Sequence, residues 1–135
     1  MMQKAKTMMQ KVETKHSALS GGHYSPAVKY NGLLYISGQL SVDPETGKIP
    51  RGGIKEEAKQ ALKNLDLVLQ SAHITKQDVL HCRVYIPDAA YWAELNEVYA
   101  EYFGDHKPAR TVIPTNQLHY GCLVELDAIA ACGEE

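Results

Sequence analysis

The sequence predicts an α+β domain in which two helices cover one face of a mixed β-sheet. Three observations carry this prediction. Residues 54–73 repeat apolar side chains at intervals of three and four (Ile54, Ala58, Ala61, Leu62, Leu65, Val68, Leu69 and Ala72), the pattern of a long helix with one apolar face. Residues 79–86 alternate instead, with Leu80, Cys82, Val84 and Ile86 on one side and His81, Arg83 and Tyr85 on the other, as in a strand with one wet face. Around these the order reads strand, strand, helix, strand, helix, strand, strand, and 135 residues is the length of one domain.

Residues 1–11 hold Met, Gln, Lys, Thr and Ala without turn chemistry or a pairing segment, and read as a flexible leader before a single domain over 12–135. Residues 12–16 read as a short edge strand. After the breaker Ser20-Gly21-Gly22, residues 24–30 are extended, and Asn31-Gly32 is a two-residue hairpin signal that sends the chain back through 33–40. Asp43-Pro44-Glu45-Thr46-Gly47, Pro50 and Gly52-Gly53 are loop chemistry leading to the first helix. Pro87 ends the third strand and Asp88 caps a second helix. Its apolar stripe is Trp92, Leu95, Val98, Tyr99, Tyr102 and Phe103, and Gly104 stops it. Extended runs at 109–117 and 122–131 close the chain. The sheet face away from the helices would expose Tyr35, Leu123 and Ile129, so self-association is expected.

Fourteen Lys plus Arg against sixteen Asp plus Glu leave a net charge of -2 with no long basic run, so no nucleic-acid partner is expected. Apolar runs fall far short of the roughly 20 residues a bilayer requires, so no membrane partner is expected either. Three widely spaced cysteines, Cys82, Cys122 and Cys132, suit reduced thiols packed as small hydrophobes in a cytoplasmic protein. Six histidines show no ligand spacing, and no metal or other cofactor is expected. Phosphate-binding, dinucleotide and nucleophile-elbow motifs are missing.

Chemistry and pattern disagree most in the last strand. One face of Leu123-Val124-Glu125-Leu126-Asp127-Ala128-Ile129-Ala130 is apolar, while the other sets Glu125 and Asp127 side by side. That face is either solvated or lines an interface cavity, where desolvation would raise one carboxylate towards the range useful for proton transfer. Arg110 opens a strand after Lys107-Pro108-Ala109 and is either a surface arginine or a fork that holds a carboxylate. Ser37-Gly38-Gln39 allows close approach of a ligand to the backbone, and Asn96 lies at the edge of the helix stripe.

Seven blocks together resemble the reactive intermediate deaminase family, called RidA or YjgF and also the L-PSP endoribonuclease or translation-inhibitor family. They are Tyr24-Ser25-Pro26-Ala27-Val28, Ile36-Ser37-Gly38-Gln39, Asp43-Pro44-Glu45-Thr46-Gly47, Leu95-Asn96-Glu97-Val98-Tyr99, Tyr102-Phe103-Gly104, Lys107-Pro108-Ala109-Arg110-Thr111 and Val124-Glu125-Leu126-Asp127-Ala128-Ile129-Ala130. The resemblance implies a chorismate-mutase-like fold, a homotrimer with ligand clefts between subunits, and hydrolysis of 2-aminoacrylate and related 2-imino acids to 2-keto acids and ammonia. It further implies that Arg110 clamps the substrate carboxylate and Glu125 activates water. Tyr24, Ser37, Gly38 and Asn96 would line the cleft. Two positions depart from the family pattern. Gly22-His23-Tyr24-Ser25-Pro26 stands where many members have Gly-Pro-Tyr-Ser-Gln, and Val112 stands where cysteine is frequent. His23, Asn116, Gln117 and His119 are candidates for a different substrate preference. A non-catalytic sensor of small carboxylates and a ribonuclease are the alternative readings.

Overall fold

The computed structural model describes residues 8–16 and 22–133. Residues 1–7 of the expected leader, and Ser20-Gly21 of the expected breaker, lie outside the described residues. Six strands form one mixed sheet in the order β1-β2-β3-β6-β4-β5: β1 (Gln10–Val12), β2 (Ala27–Tyr30), β3 (Leu33–Leu40), β4 (Val79–Ile86), β5 (Ala109–Pro114) and β6 (Glu125–Ala131). Only the β4–β5 pair is parallel. The helices α1 (Ile54–Ser71) and α2 (Trp92–Phe103) pack on one face, as the pattern predicts.

Local chemistry explains most boundaries. Asn31 and Gly32 both take positive φ, 52° and 79°, which a two-residue hairpin with the strands' own twist demands. Helix α1 ends two residues before the expected limit because His73 turns left-handed (φ 62°), with Ile74 N–H returning to the Leu69 carbonyl. Asp88 caps a short 3-10 turn at Ala89–Tyr91, accepting from Ala90 N–H at 2.9 Å, and α2 continues from it. Gly104 closes α2 at φ 63°.

Several expectations are corrected. The edge strand is Gln10–Val12 and not 12–16, so residues 10 and 11 of the expected leader are strand; their partners, Lys29 and Val28, are distant in sequence. Strand β2 begins at Ala27 because Pro26 has no N–H for the ladder. Leu80 is 48% exposed although its parity put it on the buried side. Val79 pairs with Ala130 and His81 with Ile129, so Leu80 is the extra residue of a β-bulge. Strand β5 stops at Pro114 and β6 starts at Glu125. Leu123, expected on the open face, packs against the core instead, and its N–H goes to Glu57 of α1.

The core lies between helices and sheet. Leu126, Ala128 and Ala130 of β6, Cys82, Val84 and Ile86 of β4, and Leu34 and Ile36 of β3 meet Ala58, Ala61, Leu62, Leu65, Val68 and Leu69 of α1. Cys82 and Cys122 are buried free thiols, and Cys132 is half-buried. The opposite sheet face carries Tyr35, His81, Arg83, Asp127 and Ile129 around a shallow hollow of about 270 Å³. Among the described residues no helix is long and apolar enough to cross a membrane.

Candidate active site

The charged groups singled out in the sequence, Arg110 on one hand and Glu125 and Asp127 on the other, occupy opposite faces of the sheet. Cys82 of β4 lies between Ala128 of β6 and Arg110 of β5, and residues paired across strands project to the same side. Arg110 therefore projects to the helix side with buried Cys82. Glu125 and Asp127 alternate with buried Leu126 and Ala128, so they project to the open side. The fold of one chain thus sets two candidate half-sites on opposite faces of the sheet.

The first half-site is Arg110 with one stripe of α2. Its Nη1 donates to Asn96 Oδ1 at 2.8 Å. Its guanidinium lies 4.8 Å from the centre of the Tyr99 ring and 5.7 Å from that of Trp92. Trp92, Asn96 and Tyr99 are spaced by four and three, so a single helix face presents all of them. An aromatic face and an amide hold the cation without neutralising it. Among the described residues no carboxylate pairs with Arg110 within 4.0 Å, so its remaining N–H groups are free for a bidentate anion. Beneath it the buried Tyr99 hydroxyl faces the Cys82 sulfur, with no oxygen or nitrogen partner among the described residues. Burial pushes the Cys82 thiol up to about 12, which makes it a packed hydrophobe and not a nucleophile. The sequence placed Trp92 on the apolar stripe of the second helix; it is 45% exposed because α2 turns it towards the β5 edge and Arg110. The role of Trp92 and Tyr99 as a stacking surface had no sequence signal apart from their spacing to Asn96.

The second half-site gathers Ser37, Gly38 and Glu125. Ile36 pairs with Ala128 and Gln39 with Leu126, so Ser37-Gly38 form a bulge opposite Asp127. The Ser37 hydroxyl donates to the Ser25 carbonyl at 2.6 Å, and Ser37 N–H donates to the Pro26 carbonyl at 3.0 Å. These bonds fasten the Tyr24-Ser25-Pro26 segment to the bulge. Tyr24 itself is exposed, its ring lying over Gly22. A Cβ on residue 38 would collide with the Glu125 carboxylate, so Gly38 is the seat on which that carboxylate rests. Gly38→Ala should push the carboxylate aside without unfolding the chain, since the colliding atom is the end of a flexible side chain. NMR of the Glu125 carboxyl carbon beside a thermal melt should show a displaced resonance with an unchanged melting temperature.

Glu125 and Asp127 are neighbours in opposite circumstances. Arg83 Nε and Nη2 donate to the two oxygens of Asp127 at 3.0 and 3.2 Å, and the Tyr85 hydroxyl adds a bond of 3.1 Å. Asp127 is thereby committed. Glu125 receives no such bond among the described residues, and burial raises its carboxyl above the usual range, with the Asp127 charge adding to the rise and His119 opposing it. His23, Asn116, Gln117 and His119 are exposed. Among the described residues no three His, Cys, Asp or Glu side chains converge as metal ligands.

The family model described as Endoribonuclease L-PSP matches residues 14–132. The chain belongs to this family, the RutC/RidA family. A RutC family protein of Pyrococcus horikoshii is 40% identical over 91% of this chain and 98% of its own. The 2-iminobutanoate/2-iminopropanoate deaminase of Mus musculus is 38% identical over 90% of each chain. Among solved structures, E. coli TdcF with bound serine superposes with a TM-score of 0.85 and 28% identity over 92% of this chain and 99% of its own. Other members of the Rid and YjgF family share the same two-helix, mixed-sheet architecture.

Proposed function

We propose that this Rid-family protein is a cytoplasmic homotrimer that hydrolyses 2-imino acids, 2-iminobutanoate and 2-iminopropanoate among them, to 2-keto acids and ammonia. The observation that carries the reading is Arg110, a guanidinium held by an amide and two rings with no carboxylate partner among the described residues. The mouse relative's name supports the reaction class. In the reaction, Arg110 binds the substrate carboxylate and Asn96 fixes the fork. Glu125 takes a proton from a water that adds to the imine carbon and returns it to the nitrogen, giving a carbinolamine. The carbinolamine hydroxyl then passes its proton, through Glu125, to the nitrogen as the C–N bond breaks, releasing ammonia and leaving the keto group. An imine carbon is already electrophilic, so proximity and one base suffice. Tyr24, Ser37 and Gly38 shape the acid side of the cleft.

Because Arg110 and Glu125 of one chain lie on opposite faces, a single substrate meets both only if they come from two chains. Assembly and activity should therefore fail together. Ile129→Asp puts a charge on the open sheet face, where desolvation on assembly is costly. Light scattering should report folded monomers without deaminase activity; active monomers would overturn the shared site. The reaction itself is tested by generating the imine with a dehydratase and following keto-acid release against a carbonyl trap. Release unchanged by the protein would favour the second reading, a sensor of small carboxylates, which the serine in TdcF supports.

A further inference from the structure

Two polar side chains lie buried on the otherwise apolar stripe of α1: Glu57, 6% exposed, and Asn64, 8% exposed. Burying a carboxylate is costly unless donors compensate, so Glu57 at this position calls for a reason. Its Oε1 accepts from the Ser41 hydroxyl and from Leu123 N–H, both at 2.8 Å. Ser41 directly follows β3, the strand that carries Ser37-Gly38, and Leu123 lies two residues before Glu125. Asn64, two turns further along the helix, donates to the Leu40 and Val42 carbonyls at 2.9 and 2.8 Å, on either side of Ser41. Leu40 is the residue paired with Glu125 in the sheet.

We infer that Glu57 is a positioning residue for the acid half-site: one buried oxygen ties the chain leaving β3 to the chain entering β6 and thereby seats Glu125 against Gly38. The strand pairing does this only in part: Glu125 pairs with Leu40 on one side and Tyr85 on the other, but it is the first residue of β6, and the β3–β6 ladder is interrupted at Ser37-Gly38, where its carboxylate is seated. The helix supplies the missing constraint from the core side. The geometry asks for an acceptor and not for a charge, because both donors meet the same oxygen and an amide oxygen takes two bonds as well. The consequence for turnover rests on Glu125 being the base proposed above.

The experiment follows the Glu125 carboxyl carbon by NMR across pH in the assembled protein, where Asp127, His119 and Tyr85 are its charged and ionisable neighbours and Arg83 and His81 lie further along the same face, and measures kcat and KM in parallel. Glu57→Gln should keep the raised Glu125 titration and wild-type kcat. Glu57→Ala should let the Glu125 titration fall back towards the ordinary value of about 4.3. It should also lower kcat by about tenfold or more while KM, set largely by the Arg110 half-site, stays within about twofold. A folded Glu57→Ala protein whose Glu125 titration matches wild type overturns the inference. If that variant does not fold, Ser41→Ala, which removes only the β3 tether, decides: an unmoved Glu125 titration rejects the role. Should the wild-type protein fail to hydrolyse imines, the deaminase reading falls and the titration series still tests Glu57.

Discussion

Glu125→Gln should bind a 2-keto acid as the wild type does and hydrolyse imines roughly a hundred- to ten-thousand-fold more slowly, the range for loss of a positioned base. The amide preserves the shape that rests on Gly38 but accepts no proton from water. Calorimetry of keto-acid binding beside steady-state kinetics checks both halves of the statement. Turnover that survives would move the base elsewhere, and Asp127 is a poor substitute because Arg83 and Tyr85 occupy its oxygens.

The same substitution has a pH signature. The Glu125 carboxyl is raised by burial first and by Asp127 second, and activity needs the ionised form, so the acid limb of kcat should fall at a pH above the ordinary Glu value of about 4.3. For stability the sign is opposite to that of a salt-bridged acid. The folded state holds its proton after the unfolded chain has released it, so stability declines as pH rises from the unfolded value through the raised folded one, and is level above. Glu125→Gln lacks that decline. Its melting temperature should exceed that of the wild type at neutral pH and converge with it in acid.

Arg110→Lys is the second large effect. A lysine keeps the charge but replaces a planar fork with a compact ammonium that has no matching pair of donors. It also loses the guanidinium's contact over the Tyr99 ring and, with Nη1 gone, the bond to Asn96. Losing a charge-assisted hydrogen bond of about 1.5 to 3 kcal/mol corresponds to roughly ten- to a hundredfold weaker substrate binding, read as a rise in KM and in the keto-acid Kd. Unaltered kinetics in Arg110→Lys would remove the carboxylate clamp from the mechanism. The Asn96→Ala protein provides a graded comparison, since it frees the fork without removing it.

Local pattern alone determined the regular elements whose residues report their own surroundings. The apolar repeat of α1, the alternation along β4 and β6, the Asn31-Gly32 turn and the Gly104 stop each depend on neighbours within a few residues, so each was legible. Glu125 and Asp127 on one face of β6 followed from the two-residue period of a strand. Tertiary structure decided what depends on residues distant in sequence. The bulges at Leu80 and at Ser37-Gly38 exist only relative to β6, and the β1 edge strand only relative to β2. The separation of Arg110 from Glu125 by the thickness of the sheet comes from the parallel register of β5 on β4. Glu57 occupied an apolar stripe in plain view, three residues after Ile54 and four before Ala61, yet its meaning required the Ser41 hydroxyl and the Leu123 amide. A buried polar group is intelligible only through the donors it meets, and those are brought to it by the fold.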